Sequence, residues 1–173
     1  MKRMRCLVLL LAVLLSACGG GMEEPEEGLV LWYCTGAEES HGPALSAQPY
    51  AGEADPEALL AALLAGPGQE DLYSPFPRGV ALQSCTWDEE RPGVLLVDLS
   101  EQYGALADIS LSLADYAIAL TLSQADGVEG VEITARGHSV SYRSHQLLSA
   151  QEAVLWDNLA QAQKTLDNPA DSR

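Results

Sequence analysis

The chain has 173 residues, 47% of them hydrophobic but only 6% aromatic, and its 25 acids against nine Lys and Arg give a formal charge of −16. A surface of that sign repels phosphate backbones and anionic headgroups, which argues against nucleic acid as a partner and against an electrostatic contact with a membrane. Beyond the first 28 residues, roughly 145 remain, enough for one domain with a modest core.

The chain opens with Lys2, Arg3 and Arg5 ahead of an apolar run from Cys6 to Leu15. That run is too short to span a bilayer as a helix, so residues 1–17 read as a signal peptide. Its end, Leu15-Ser16-Ala17-Cys18, resembles a bacterial lipobox. Small residues fit a peptidase cleft before the scissile bond, and the cysteine thiol accepts a diacylglycerol before becoming the new N-terminus. Cys18 is therefore the expected lipid anchor, the alternative being an ordinary signal peptide that happens to carry a cysteine. Cleavage there leaves six basic residues against 25 acids, a formal charge of −19. Residues 18–28 join three glycines to an acidic, Pro-containing run with too little apolar content to fold, and read as a charge-extended tether. The expected location is the extracytoplasmic face of a cell membrane.

Residues 29–142 form the predicted domain. Leu29 to Cys34 is a nearly continuous apolar run bounded by Gly28 and Gly36, and predicts a buried strand with Trp32 and Tyr33 on opposite faces. From Thr35 to Ala54 the composition turns to Gly, Pro, Ser and acids without periodicity, which predicts a long surface loop. Asp55-Pro56-Glu57 has the cap, proline and acid of a helix start; Leu59, Leu60, Leu63 and Leu64 form the buried stripe, and Gly66-Pro67 stops it. Gly79–Trp87 and Gly93–Asp98, separated by the turn Asp88 to Pro92, predict an antiparallel hairpin.

Ser112 to Gln124 has helical spacing, with Ser112 and Asp115 placed as a capping box and Asp126-Gly127 as the stop. Val128 to Ala135 alternates as a strand, and Gly137 turns it into a short one at Ser139 to Tyr142. Ser149 to Glu152 is a second capping box, opening a helix to about Leu166 that buries Val154, Leu155, Leu159 and Ala162 and packs Trp156 onto the domain. Residues 143–167 are thus a helical extension and 168–173 a tail. The expected fold is α+β: a two-layer sandwich in the order β-α-β-β-α-β, a small mixed sheet with helices on one face, plus the C-terminal helix.

The series "ALLAGP", "SPFPRGVALQS", "GVLLVDLSEQY", "LADYAIALTLSQADGVEGVEITARG" resembles the GerMN domain, first recognised in bacterial sporulation and germination lipoproteins, over roughly residues 29–137 with every segment in family order. The resemblance implies a non-catalytic extracytoplasmic domain, folded like the ring-building motif of sporulation channel proteins and serving assembly or interaction at the cell surface. It implies other envelope proteins as partners, with a homo-oligomer among the arrangements allowed, and no cofactor. The Thr35–Ala54 loop, the acidic Trp87–Pro92 turn and the C-terminal helix depart from the pattern, and the single copy argues against any role that needs a tandem pair.

The chemistry-bearing residues give weaker signals. Cys34 and Cys85, each near the end of a strand-like run in an exported chain, form a disulfide worth roughly 2 to 4 kcal/mol or remain two buried thiols; the sequence leaves both open. Trp87, where a strand meets an acidic turn, is either an anchor for a partner or a rim residue covering the core. Asp98 and Glu101 place two carboxylates at a strand end, which admits an acidic hydrolase, although Asp and Ser there more often satisfy turn amides. His41, His138 and His145 lack a metal-ligand spacing. A small-ligand-binding lipoprotein is the remaining competitor and would need a deep pocket.

Overall fold

Val30 to Thr35 forms strand β1 with Leu31 and Tyr33 buried on one face and Cys34 on the other. Both faces of this strand are covered, which is why it reads as an unbroken apolar run rather than an alternation. The computed structural model describes residues 28–36, 44–141, 143 and 145–153. Within them β1 is followed by β2 (Leu45–Pro49), α1 (Pro56–Ala65), β3 (Leu72–Tyr73), β4 (Leu82–Trp87), β5 (Val94–Leu99), α2 (Asp108–Leu122), β6 (Gly130–Ala135), β7 (His138–Ser139) and β8 (Leu147–Leu148). The class is α+β, as the sequence implies.

The strands divide between two sheets rather than forming one. β1 lies between β2 and β3 in an antiparallel sheet, with Tyr33 opposite Ser46 and Cys34 opposite both Leu45 and Tyr73. The second sheet runs β4-β5-β6-β7, with β8 also on β6; it is mixed, since β5 and β6 are parallel and their neighbours antiparallel. The parallel pair requires a crossover, and α2 supplies it. Strand β2 falls inside the segment expected to be a loop. Its sequence, Leu-Ser-Ala-Gln-Pro, is short, has no β-branched or aromatic residue and ends on proline, and its extended form comes from the ladder with β1.

The two helices close the core between the sheets. Leu59, Leu60 and Leu63 of α1 and Leu111, Ala114, Ile118 and Leu122 of α2 pack with Leu31 and Tyr33 of β1 and with Leu95, Val97, Leu99, Val131 and Ile133 from the inner face of the mixed sheet. A second cluster joins Cys34 and Leu45 to Ala117 and Leu120 on the other side of β1, with Trp32 half-buried against it. Trp32 and Tyr33 thus take opposite faces, as their adjacency on a strand dictates.

Local signals explain the boundaries. Asp55 accepts from the Ala58 amide at 3.0 Å with Pro56 in the first turn, and Gly66 ends α1 at φ 94°, a left-handed value costly for other residues. Helix α2 begins at Asp108, four residues before the expected start. Ser112 does not cap it: its hydroxyl donates to the Asp108 carbonyl one turn back, and Asp115 is buried. Arg136 and Gly137, both at positive φ, make the two-residue turn between β6 and β7. Residues 147–153 hold β8 and a short 3-10 turn rather than the start of an α-helix, with Ser149 accepting from the Gln151 amide. The rest of the expected C-terminal helix, from Val154, lies outside the described residues, as do Cys18, the leader and the tether.

Candidate functional site

Asp98 stands on the outer face of β5, and its Oδ1 accepts from the Thr134 hydroxyl and from the Gly137 amide, both at 2.7 Å. The carboxylate therefore holds the β6–β7 turn closed, which is the turn-amide role the sequence favoured. Glu101, in the 3-10 turn after β5, pairs at 2.9 Å with Arg136 on the surface. The two acids are each engaged with different partners rather than facing a shared substrate position. Between Glu101 and β7 lies an open groove of about 710 Å³ lined by Glu101, Ala105, Arg136, His138 and Ser139 among others, and Asp98 does not line it. Among the described residues no group of three or more His, Cys, Asp or Glu could hold a metal.

Cys34 and Cys85 are free thiols in different sheets. Cys34 packs against Leu45 and Ala117, while Cys85 lies opposite Val97 in β4. The disulfide considered from sequence is not made in this structure. Burial, followed by the charges of Glu57 and Asp55, pushes the Cys85 thiol up to about 11, and burial raises that of Cys34 as well. Neither is a thiolate near neutral pH, so neither is set up as a nucleophile.

Trp87 ends β4 with 48% of its surface exposed. It pairs with Leu95, which directs it to the helix-bearing side of the sheet, and its ring edge lies against Gly127 in the turn after α2. It is accordingly both rim and surface. Beyond it, Asp88 accepts from the amides of Glu90 and Arg91, and Arg91 bridges back to Asp88 and across to Glu132. These bonds, led by the Glu90 amide, hold the Asp88 carboxyl below its usual range. Among the described residues, Tyr73, Ile109 and Leu147 are the other large apolar side chains left exposed.

Two polar constructions, one buried and one part-buried, escaped the sequence reading. In the first, Arg143 forks onto Asp115, its Nε donating to one carboxylate oxygen at 2.8 Å and a terminal nitrogen to the other at 2.6 Å, while its remaining nitrogen donates to the Ile133 carbonyl at 2.7 Å. Tyr103 donates to the same carboxylate. Arg143 and Asp115 side chains are 3% and 4% exposed, and each nitrogen of the guanidinium has an acceptor. Burial and then the Asp115 charge raise the Tyr103 hydroxyl well above its ordinary range, so it stays a donor. This knot rivets the segment after β7 to α2, β6 and the 3-10 turn.

In the second, Gln124, just past α2, grips the start of β1: the Val30 amide donates to its Oε1 at 2.8 Å and its Nε2 donates to the Val30 carbonyl at 2.7 Å. The Trp32 amide donates to Thr121 Oγ1 at 3.2 Å. β3 reaches only Cys34 and Thr35, so helix side chains stand in for a neighbouring strand along the rest of that edge.

The arrangement offers exposed surface, strand edges and structural ion pairs. The family model described as Germane, sporulation and spore germination, matches residues 35–141. Among solved structures the fold is similar to the tandem GerMN domains of the sporulation protein GerM from Bacillus subtilis, with TM-score 0.52 and 20% identity over 70% of this chain. This chain spans 43% of that tandem one. It is also similar to the first GerMN domain of the same protein, with TM-score 0.53 and 13% identity over 72% of this chain and 98% of that one. No curated protein matches. Since the family model covers more than half of the residues, the chain belongs to the Germane family of sporulation and spore germination proteins.

Proposed function

We propose that the chain is a lipid-anchored GerMN module, held through Cys18 at the extracytoplasmic face of the membrane, where it serves interaction or assembly with other envelope proteins in sporulation or germination without catalysis. The family match over residues 35–141 carries this reading. The side chains agree with it: Asp98 and Glu101 are spent on a turn and a surface ion pair, and the groove beside Glu101 and β7 is open rather than enclosed. The lipobox ending at Cys18 supports attachment through a lipid, and among the described residues no helix is long and apolar enough to cross a membrane.

The test uses the full chain in cells. Cys18→Ala is expected to move it from the membrane fraction to the unattached one, and crosslinking of intact cells is expected to give adducts with envelope proteins. Retention of the variant in the membrane would remove the anchor from the proposal, and a wild-type chain giving no adducts would remove the interaction role. Hydrolysis of a glycan, peptide or ester panel that Asp98→Asn abolishes would replace both with an enzyme.

A further inference from the structure

The edges of the two sheets are finished differently. The upper half of β1 is closed by Gln124 and Thr121, and β2 carries Pro49 at a position directed away from β1, where no amide is presented. β4 has no such device. It is a six-residue edge strand without a charge or a proline, and Gln83, Ser84, Thr86 and Trp87 are all exposed.

The ladder tells which backbone groups face outward. The Asp88 amide donates to the Val94 carbonyl, so Thr86 and Ser84, two and four residues back, also bond to β5. The N–H and C=O of Cys85 and Trp87 therefore point to the open edge, and they have no partner among the described residues. The bulge at Gln83 limits the regular stretch to Ser84–Trp87.

The surroundings are acidic. Glu89 and Glu90 are exposed just past β4 and make no ion pair among the described residues, whereas Arg91, Arg136 and Arg143 are all paired. On the other side, Asp55 and Glu57 at the start of α1 lie near enough to act on the Cys85 thiol. A second copy of a chain carrying −16 would set these acids against themselves.

We propose that the open edge of β4 docks an extended, basic segment of a partner protein, which pairs with Ser84–Trp87 as an added strand while its cations face Glu89 and Glu90 and its apolar residues meet Trp87. This rests on the reading of the chain as an interaction module. Main-chain bonds supply attachment and alternate side chains supply selectivity, as in other strand-addition complexes.

The probe is a short synthetic peptide alternating lysine with valine, added to the full chain and followed by amide hydrogen exchange and titration calorimetry. Exchange at Cys85 and Trp87 is expected to be fast in the free chain and slowed by the peptide, with β6 amides unchanged. Cys85→Pro removes an outward N–H without touching the bonds to β5 and is expected to weaken binding by about tenfold. Should that variant not fold, two controls remain. Glu89→Lys with Glu90→Lys is expected to weaken binding by about tenfold at low salt, and a peptide N-methylated at alternate amides is expected not to bind.

Equal binding by the N-methylated peptide, or by one with glutamate in place of lysine, would overturn the proposal. So would slow exchange at Cys85 and Trp87 before any peptide is added, because the edge would then already be covered by the chain itself or a second copy. In cells, adducts that persist unchanged in the Glu89→Lys, Glu90→Lys chain would defeat the docking edge and leave the interaction module standing; a wild type without adducts would defeat the module.

Discussion

Asp115 is where the sequence misled most. Its position three residues after Ser112 matches a capping box, yet the helix starts four residues earlier and the carboxylate is buried under Arg143. Nothing in local spacing signals a pair 28 positions apart. Asp98 was legible, because a carboxylate at a strand end followed by Ser usually binds turn amides, and it does. Removing one partner of the buried pair leaves the other unneutralised: Asp115→Asn is expected to cost about 3 to 5 kcal/mol in urea unfolding, and Asp115→Leu combined with Arg143→Met is expected to cost less than Arg143→Met alone. Tyr33 makes a second prediction at this scale. It donates to the Ala62 and Leu63 carbonyls, and burial pushes its phenol up to about 12. Below about pH 10 both folded and unfolded chains hold that proton and the stabilisation is whole; above it only the unfolded chain releases it, so stability falls as pH rises toward about 12. Unfolding free energies measured from neutral pH upward should show that decline, and Tyr33→Phe should make it shallower.

Element by element, the best-read parts carry their own punctuation. Helix α1 has a cap, a first-turn proline and a stop glycine within its own sequence, and the structure uses all three. Asp55→Ala is expected to lower stability by about 1 kcal/mol, seen as a lower melting temperature with unchanged unfolding cooperativity. The β4–β5 hairpin is similarly self-announcing through its acidic turn and Gly93. Strands β2, β3 and β8 were not, because a five-residue run without β-branched or aromatic residues and two pairs of leucine or tyrosine become strands only through their partners. The division into two sheets was equally hidden: apolar runs show that strands exist, whereas pairing depends on where the crossover through α2 returns the chain. Gln124 and Thr121 look like ordinary residues near a helix end, and only the incomplete reach of β3 gives them a task.

For the molecule as a whole, charge is the property most directly readable from composition. With −16 overall and Arg91, Arg136 and Arg143 already paired, the remaining surface is dominated by acids that repel one another. Added sodium chloride should therefore raise the melting temperature at low ionic strength and level off once the Debye length falls below about 10 Å; a flat response would mean the acids are too far apart to matter. The grip of Gln124 on Val30 has a mechanical corollary. Any tension applied ahead of Gly28 runs along β1, which is flanked by β2 and β3 and pinned by that amide at its very entrance. Its hydrogen bonds lie across the direction of pull and must yield together in shear, so the domain resists at the end where the load arrives instead of peeling open one rung at a time.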